Sequence, residues 1–533
     1  MAVQNDYPEQ LDPKPWRDMP QELLISIVRF LPANEIALTG RLVNKATAAH
    51  FRGLQYCTVR LSQPTPPHDF AQRWGSPGVM RGLTLKQRRQ LLCLTASSGS
   101  LPNLQVAATY AGCALTADVL GAAAAAGQLE ACQWLRQQGC PWVHMRREAL
   151  AAAAGAGQQP ACEWLLAAGC LWSQEAVYAA AQGGHVGLME WLLLHQPEGV
   201  DEVCSADLLK AAAKGCDLAT LQRLYEDWRG EQLMEMVKWQ ILAAAASSPT
   251  PDWQDKVLWL EERGFTKRSS ACAEAAACSD ALSRLRWLRQ QGYPLLRETV
   301  ESAAARGNIA VLEYLRREDE QLVTYPITAK ARASANGHLA TVQWLDTCPD
   351  IGLHAAARGG HLELVSWLAE RAGVRLGRGM FSNAATSGNL ELLRWLRQHR
   401  CPGIRDQSNL SCAAEAGSEE MIEWLVEQGC PWGEDGSAYR NAARNGDLAT
   451  LRCLGRLGCP WGSDQIFNTD FYLFGPLEVV RLLLELGCPV DWEEAVCKAS
   501  RIVDVTHREG LLVLLHEQQA LHQQQQQQER QQL

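Results

Sequence analysis

Thiols and imidazoles are the side chains of this sequence best suited to chemistry: it carries 19 cysteines and 12 histidines. A thiolate can ligate zinc, attack a carbonyl or close a disulfide, and an imidazole can hold a metal or move a proton. The spacing favours none of these. There is no CxxC pair, and Cys272 with Cys278 stands alone. Cys140, Cys170, Cys430, Cys459 and Cys488 recur instead at one place in a repeating string, and His185, His338 and His361 at another. Equivalent residues in stacked helical repeats stand roughly 8–10 Å apart, beyond the ~7 Å limit for a disulfide and the ~2 Å bonds of a shared metal ion. Reduced thiols, locally hydrogen-bonded histidines and no metal or other cofactor are therefore expected. The chain also has no G-x-S-x-G elbow, P-loop or H-E-x-x-H motif, so no enzymatic activity of its own is expected.

The elements that position these side chains are the repeats. A glycine opens each copy, at Gly127, Gly157, Gly184, Gly307, Gly337, Gly360, Gly388, Gly417, Gly446 and Gly475, about 29 residues apart on average. Seven residues on stands Trp134, Trp164, Trp191, Tyr314, Trp344, Trp367, Trp395 or Trp424, or a substitute at Cys453 and Leu482, always followed by Leu. Where the register holds, a second glycine falls twelve after the first. Asp252 and Asp280 open copies without the glycine, Gly99 and Gly215 mark two more, and Asp504 marks a last one. About fourteen or fifteen units of this period predict a solenoid.

Each unit reads as two short helices. A small-residue helix such as "EALAAAAGAG" (148–157) stops at a glycine able to take the left-handed cap conformation. The next starts at once, with His361 or Asn389 at the N-cap position and Glu363 or Glu391 in the first turn. On these residues the chain resembles the ankyrin repeat: "AARGGHLELVSWLAERAG" (356–373) is similar to that family's second half. The resemblance covers roughly residues 90–515. The family's T-P-L-H start is missing and the units are short, so trimmed or absent β-hairpin fingers are expected. It also lays "GCPW" (139–142) on the turn after the second helix, with Cys140 as the small buried residue and Trp142 as the apolar anchor. Nine tryptophans seven after an anchor, and Trp142, Trp172, Trp432 and Trp461 in such turns, are read as packing rather than as ligand platforms.

The fold class expected is all-α: an ankyrin-like helical repeat solenoid over 85–516, about fourteen units, behind a small N-terminal helical module. At roughly 8–10 Å per unit, an open arc on the order of 120 Å would present a concave surface suited to proteins. The formal charge is −9, and no Lys/Arg block goes beyond short ones such as "KQRRQ" (86–90), so nucleic acid is not expected as a partner. The first fifteen residues lack a signal-peptide pattern and are expected to be disordered. No apolar run approaches the ~20 residues that span a bilayer. A soluble intracellular protein follows as an expectation, with cytoplasm and nucleus left open.

Residues 16–56 break the repeat. Pro20 stands at a helix start with Glu22 just inside, and Leu23, Leu24, Ile27, Val28 and Leu31 form a stripe that ends before Pro32. A second helix begins near Asn34 and Glu35 and carries Ile36, Leu38, Leu42 and Val43. This stretch resembles an F-box. Met19 replaces its leading Leu, while Pro20, Glu22, Leu23, Leu24, Ile27, Leu31, Glu35, Ile36, Val43 and Lys45 match. The resemblance implies a face, led by Pro20, Leu23, Leu24 and Ile27, that docks a Skp-type adaptor and through it a cullin ubiquitin ligase. Glu22, Leu31, Ile36 and Val43 complete the implied adaptor-binding set. The other reading of the same residues is a helical hairpin that caps the open end of the solenoid. The Pro-rich 57–84 reads as a linker, and the Gln-rich 517–533 as a disordered tail or frayed helix. The solenoid is expected to hold the protein partner, at residues the sequence does not single out.

Overall fold

The computed structural model describes residues 20–140, 148–199, 203–227, 233–324, 326–345, 351–371, 373–462, 476–502 and 505–532. Met19, Trp142, Gly475 and Asp504, named above, and the segment 1–15 lie outside them. Among the described residues the chain is helical and without strands, as the repeat pattern predicts, and no extended finger hairpin forms.

Thirteen antiparallel helix pairs follow one another from Leu85–Ser97 with Leu101–Tyr110 to Ser437–Arg444 with Leu448–Arg456. Helix Leu477–Glu485 and the pair Trp492–Ser500 with Val505–Gln532 continue the stack. The last helix runs without a break from the repeats into the glutamines, burying Leu511, Leu514 and Leu515. The anchor spacing is irregular at 215–252, where it is 37, and at 337–360, where it is 23, yet the array is not interrupted, since first helices remain neighbours across both. The long interval includes the twelve-residue helix Glu235–Ala246 and the short one the six-residue helix Leu339–Trp344.

Both helices of a unit end by the same device. Gly127 takes φ +71°, its N–H reaches the Ala124 carbonyl at 3.0 Å and the Gln128 N–H reaches Ala123 at 2.9 Å, a pairing that satisfies the last carbonyls. Gly429 and Cys430 do the same for the second helix, at 2.9 and 3.0 Å. The buried thiol then reaches the turn that leads into its own pair, Cys140 to the Thr116 carbonyl at 3.3 Å and Cys430 to that of Asp406 at 3.4 Å. The anchor histidines bond back to the preceding pair: His338 Nε2 lies 3.0 Å from the Ala305 carbonyl and His361 Nε2 2.9 Å from that of Ala335. The imidazoles are thus links between repeats and not the N-caps expected, whereas Asn389 does both jobs. In the copies that lack the glycine, cations take over the orphan carbonyls. Lys256 donates to Ala213 at 3.1 Å and Cys216 at 2.6 Å, and Arg284 to Ala246 at 2.9 Å. Burial holds the Lys256 ammonium below its usual range, against the pull of Asp252.

The first helices form the inner row and are built from alanine and glycine at their contacts. A Cβ on Gly121 would already sit 3.5 Å from that of Ala152, and one on Gly155 3.4 Å from that of Ala179. The outer row carries buried Leu and half-buried Trp, with Trp253 and Trp259 buried as well. A thin inner row and a thick outer row make each unit a wedge, and wedges stacked in one sense curve.

The curvature is large enough that the array meets itself, which corrects the expected open arc. The first pair is seated on the anchor turns of the twelfth and thirteenth. The Ala114 amide donates to Gly446 at 2.9 Å and the Ala449 amide to Gly112 at 2.7 Å. Arg88 donates to the carbonyls of Ala111 and Gly417, both at 2.8 Å, and pairs with Asp447 at 2.6 Å. Both side chains are buried, at 2% and 0% exposure. Asp447 also caps its own helix, accepting from Thr450 N at 3.0 Å and Oγ1 at 2.8 Å. Around this pair Arg89 bonds the Asn445 carbonyl and Arg81 bridges Glu419 and Glu423. The short basic run of the sequence is therefore the seam.

Truncating one member of a buried ion pair leaves the other charged and unpaired, at a cost of about 3–5 kcal/mol. Asp447→Ala is expected to destabilise by that order and to speed hydrogen exchange at the amides of Ala114 and Ala449, with Gly127 and Gly307 unchanged as internal references. The thiols give a second check. Eighteen cysteines are free among the described residues, and burial pushes Cys132, Cys140, Cys162, Cys459 and Cys488 up to about 12. At pH 8 an alkylating reagent should modify the exposed Cys57, Cys204 and Cys497 promptly and the buried set only on unfolding, read by mass spectrometry.

Candidate docking face of the N-terminal module

The module is four short segments: α1 (Gln21–Arg29), α2 (Ala33–Leu38), α3 (Lys45–His50) and α4 (Leu54–Cys57), with a 3-10 turn at Gly40–Leu42. Pro20 precedes α1 with φ −53° and ψ 134°, and Glu22 lies in its first turn, where a carboxylate suits the helix dipole. Asn44 and Thr47 cap α3 reciprocally, each accepting from the other's amide.

One face of α1 closes a small core of its own. Val28, Ile36 and Phe51 form a cluster apart from that of the solenoid, with Ile25, Leu31 and Tyr56 around it, and Leu24 is fully buried. The opposite face carries Leu23, Ile27 and Phe30, in one stripe at helical spacing. Leu23 is 57% exposed, Ile27 40% and Phe30 91%. Pro20 and Glu22 are exposed on the same helix end, and Leu42 is exposed on the turn. Leu24 at 0% and Ile36 at 3% exposure, expected on the docking face, are core residues that hold α1 to α2. Leu31 and Val43 are half-buried. Phe30 and Leu42 were not in the expected set, although Phe30 falls seven after Leu23 and its place on the stripe was readable from spacing.

The stretch expected as a linker is a clasp. Asn34 is buried at the start of α2. Its Oδ1 accepts from Arg60 N at 2.8 Å, and its amide nitrogen lies 2.8 Å from the Arg60 carbonyl, 3.2 Å from Gln63, 3.1 Å from Pro64 and 3.1 Å from Thr65 Oγ1. From the solenoid side, Asn103 donates to the Thr65 carbonyl at 2.8 Å. The chain then forms a helix at Pro67–Trp74 and buries Phe70 and Met80 in the solenoid core. Two asparagines thus fix the module to the first repeat through one loop, leaving the α1 stripe uncovered. No group of His, Cys, Asp or Glu able to hold a metal ion exists among the described residues, and no described helix is long and apolar enough to cross a membrane.

Residues 353–435 match the family model for ankyrin repeats, in three copies. No curated protein matches the chain in sequence. Solved structures that do match include the pentatricopeptide repeat protein PPR10 in complex with an 18-nt psaJ RNA element, at 14% identity, covering 94% of each chain with a TM-score of 0.22. A cysteine-substituted form of the same complex matches at 14% identity over 94% of this chain and 89% of that one, TM-score 0.24. PPR10 from maize matches at 11% identity over 95% and 94%, TM-score 0.20. Two of these structures hold RNA, and the exclusion of nucleic acid from net charge is withdrawn here, since a formal −9 does not preclude a local cationic surface. Likeness at this level transfers no ligand to the chain.

Replacing Asn34 by Ala removes several buried hydrogen bonds, each worth about 1 kcal/mol net. Asn34→Ala is expected to destabilise the module by about 2–4 kcal/mol and to open 58–66 to limited proteolysis, with the repeats remaining resistant on the same gel.

Proposed function

We propose that this chain is the substrate-recognition subunit of a Skp/cullin-type ubiquitin ligase. The α1 face docks the adaptor, the solenoid holds the protein to be modified, and the chain performs no bond chemistry itself. The observation that supports it is the uncovered apolar stripe of Leu23, Ile27 and Phe30 on a module with its own core. A hairpin serving only to cap the solenoid would turn that stripe inward, and a monomer rarely leaves such a patch exposed without a partner. The ankyrin repeats at 353–435, set in a helical array, are the architecture of a protein-interaction scaffold, which is the coarser statement this reading refines.

The test is co-purification of the tagged full-length protein with a Skp-type adaptor and cullin. Leu23→Asp with Ile27→Asp changes two exposed side chains, so the variant should keep its helicity. Loss of two buried anchors at an interface, at about 2 kcal/mol or more each, should cut adaptor recovery by well over tenfold. A folded native protein that recovers no adaptor, or a folded double variant that recovers it equally, removes the ligase reading and leaves a scaffold.

A further inference from the structure

Two neighbouring turns on the edge opposite the seam stand apart in charge. Inner helices end at the anchor turns, where the seam is, and start at the other edge, where the turns act as short fingers. The finger before helix Met380–Ser387 carries Arg371, Arg375 and Arg378, and the finger before Ser408–Ala416, with the last turn of the helix Leu390–Gln398 that leads into it, carries Arg397, Arg400 and Arg405. All six are exposed. Among the described residues none of the six side chains makes an ion pair or a hydrogen bond, while some exposed arginines elsewhere do pair between repeats, Arg223 with Glu190 and Arg289 with Glu318. Residues 371–408 hold seven arginines against two carboxylates, Glu391 and Asp406, a local excess of five in a chain of formal charge −9. Glu391 is paired with Arg394, and the flanking Glu370 with His399. The two fingers touch: a Cβ on Gly403 would lie 3.8 Å from the Cα of Arg378, and Cys401 Sγ is 3.7 Å from the Gly377 carbonyl. The next finger, with Glu434 and Asp435, reverses the sign and bounds the patch.

A second observation comes from the backbone. Arg400 stands twelve after Gly388, where other units place Gly139, Gly169, Gly429 or Gly458, and it takes the same left-handed conformation, φ +52°. It is the one non-glycine residue with positive φ among the described residues. An L-residue is disfavoured there, so the array keeps a guanidinium at this point against local conformational preference, a pattern found at functional sites.

We infer that the two fingers form a docking site for an acidic segment of a protein partner, a run of Asp and Glu whose carboxylates pair with the six guanidiniums. Planar forks suit carboxylates, and like-charged neighbours held by the fold gain from a polyanion that neutralises them together. The one ring on the described finger residues, His399, is already stacked on Trp395 and has Glu370 3.4 Å from its Nε2, a poor platform for a base, which favours a peptide over single-stranded RNA. The inference rests on the scaffold part of the proposed function and is independent of the adaptor face.

The experiment is fluorescence anisotropy of the full-length protein with a labelled Glu/Asp-rich peptide, its Gln/Asn counterpart and a labelled single-stranded RNA. The acidic peptide should bind, more weakly as salt rises, and the neutral peptide should not. Arg375→Glu with Arg378→Glu should weaken binding about tenfold or more, while Arg317→Glu, exposed on a distant outer helix, changes it little. Arg400→Gly separates function from structure: it should raise the unfolding midpoint while weakening binding. No binding of the acidic peptide, or binding unaffected by the finger variants, overturns the inference. RNA binding that is tighter than the peptide's and lost in the same variants overturns the choice of partner. Adaptor recovery measured on the finger variants keeps failure here distinct from failure of the docking-face reading.

Discussion

The close approach of the inner helices is the constraint on which the rest of the molecule depends. Gly121, Gly155 and their alanine neighbours bring the inner backbones together, while Leu and Trp hold the outer row apart. Every unit repeats that difference in thickness, so a small angle accumulates over the array until the first pair reaches the twelfth and thirteenth. The pair seven after the anchors, Trp-Leu in most copies, is the thick side of the wedge. Its recurrence is geometric, and the rings need no ligand to account for them.

The seam converts this curvature into a defined shape. Repeat arrays are held by nearest-neighbour interfaces, and their stability is close to a sum of local terms. Here Arg88 and Asp447, 359 positions apart, add a term that no local unit contains. A buried ion pair contributes specificity more reliably than net stability, and this one joins backbone bonds at Ala114 and Ala449 that fix the register in which the turns meet. Through Asn103, Thr65 and Asn34 the same register carries to the N-terminal module, whose apolar stripe is held in place relative to the ring.

Much of the fold was legible because it is periodic. The anchor glycines, the small-residue first helix and the Trp-Leu second helix are local signals repeated many times, and the structure returns each of them. What was not legible is what occurs once. "KQRRQ" reads as a short surface run, and nothing nearby signals that Arg88 is buried against an aspartate hundreds of residues away. Asp447 does differ from the His, Asn, Gln or Ser seen after the preceding anchors, but one substitution in a degenerate repeat does not announce a partner. In the module, the stripe was visible but its sides were not, since Leu23 and Leu24 are adjacent and only packing shows that Leu24 faces in. The linker failed for a similar reason: prolines suggested a free segment, while one buried Asn34 side chain ties it down. Net charge hid the finger arginines, because an overall sign says nothing about where charges of the other sign gather.

A closed turn of repeats also has an order of assembly. A growing chain can stack each helix pair on the one before it, but the first pair has no seat until the turn that bears Asp447 and Ala449 has been made. Until then the Arg88 guanidinium faces water and the edge of the first repeat is open. Completion of the ring is therefore a late event that reports on the whole array: a chain that stops short, or whose middle units stack at the wrong pitch, leaves its two ends apart. The N-terminal module, made first, receives its final setting almost last.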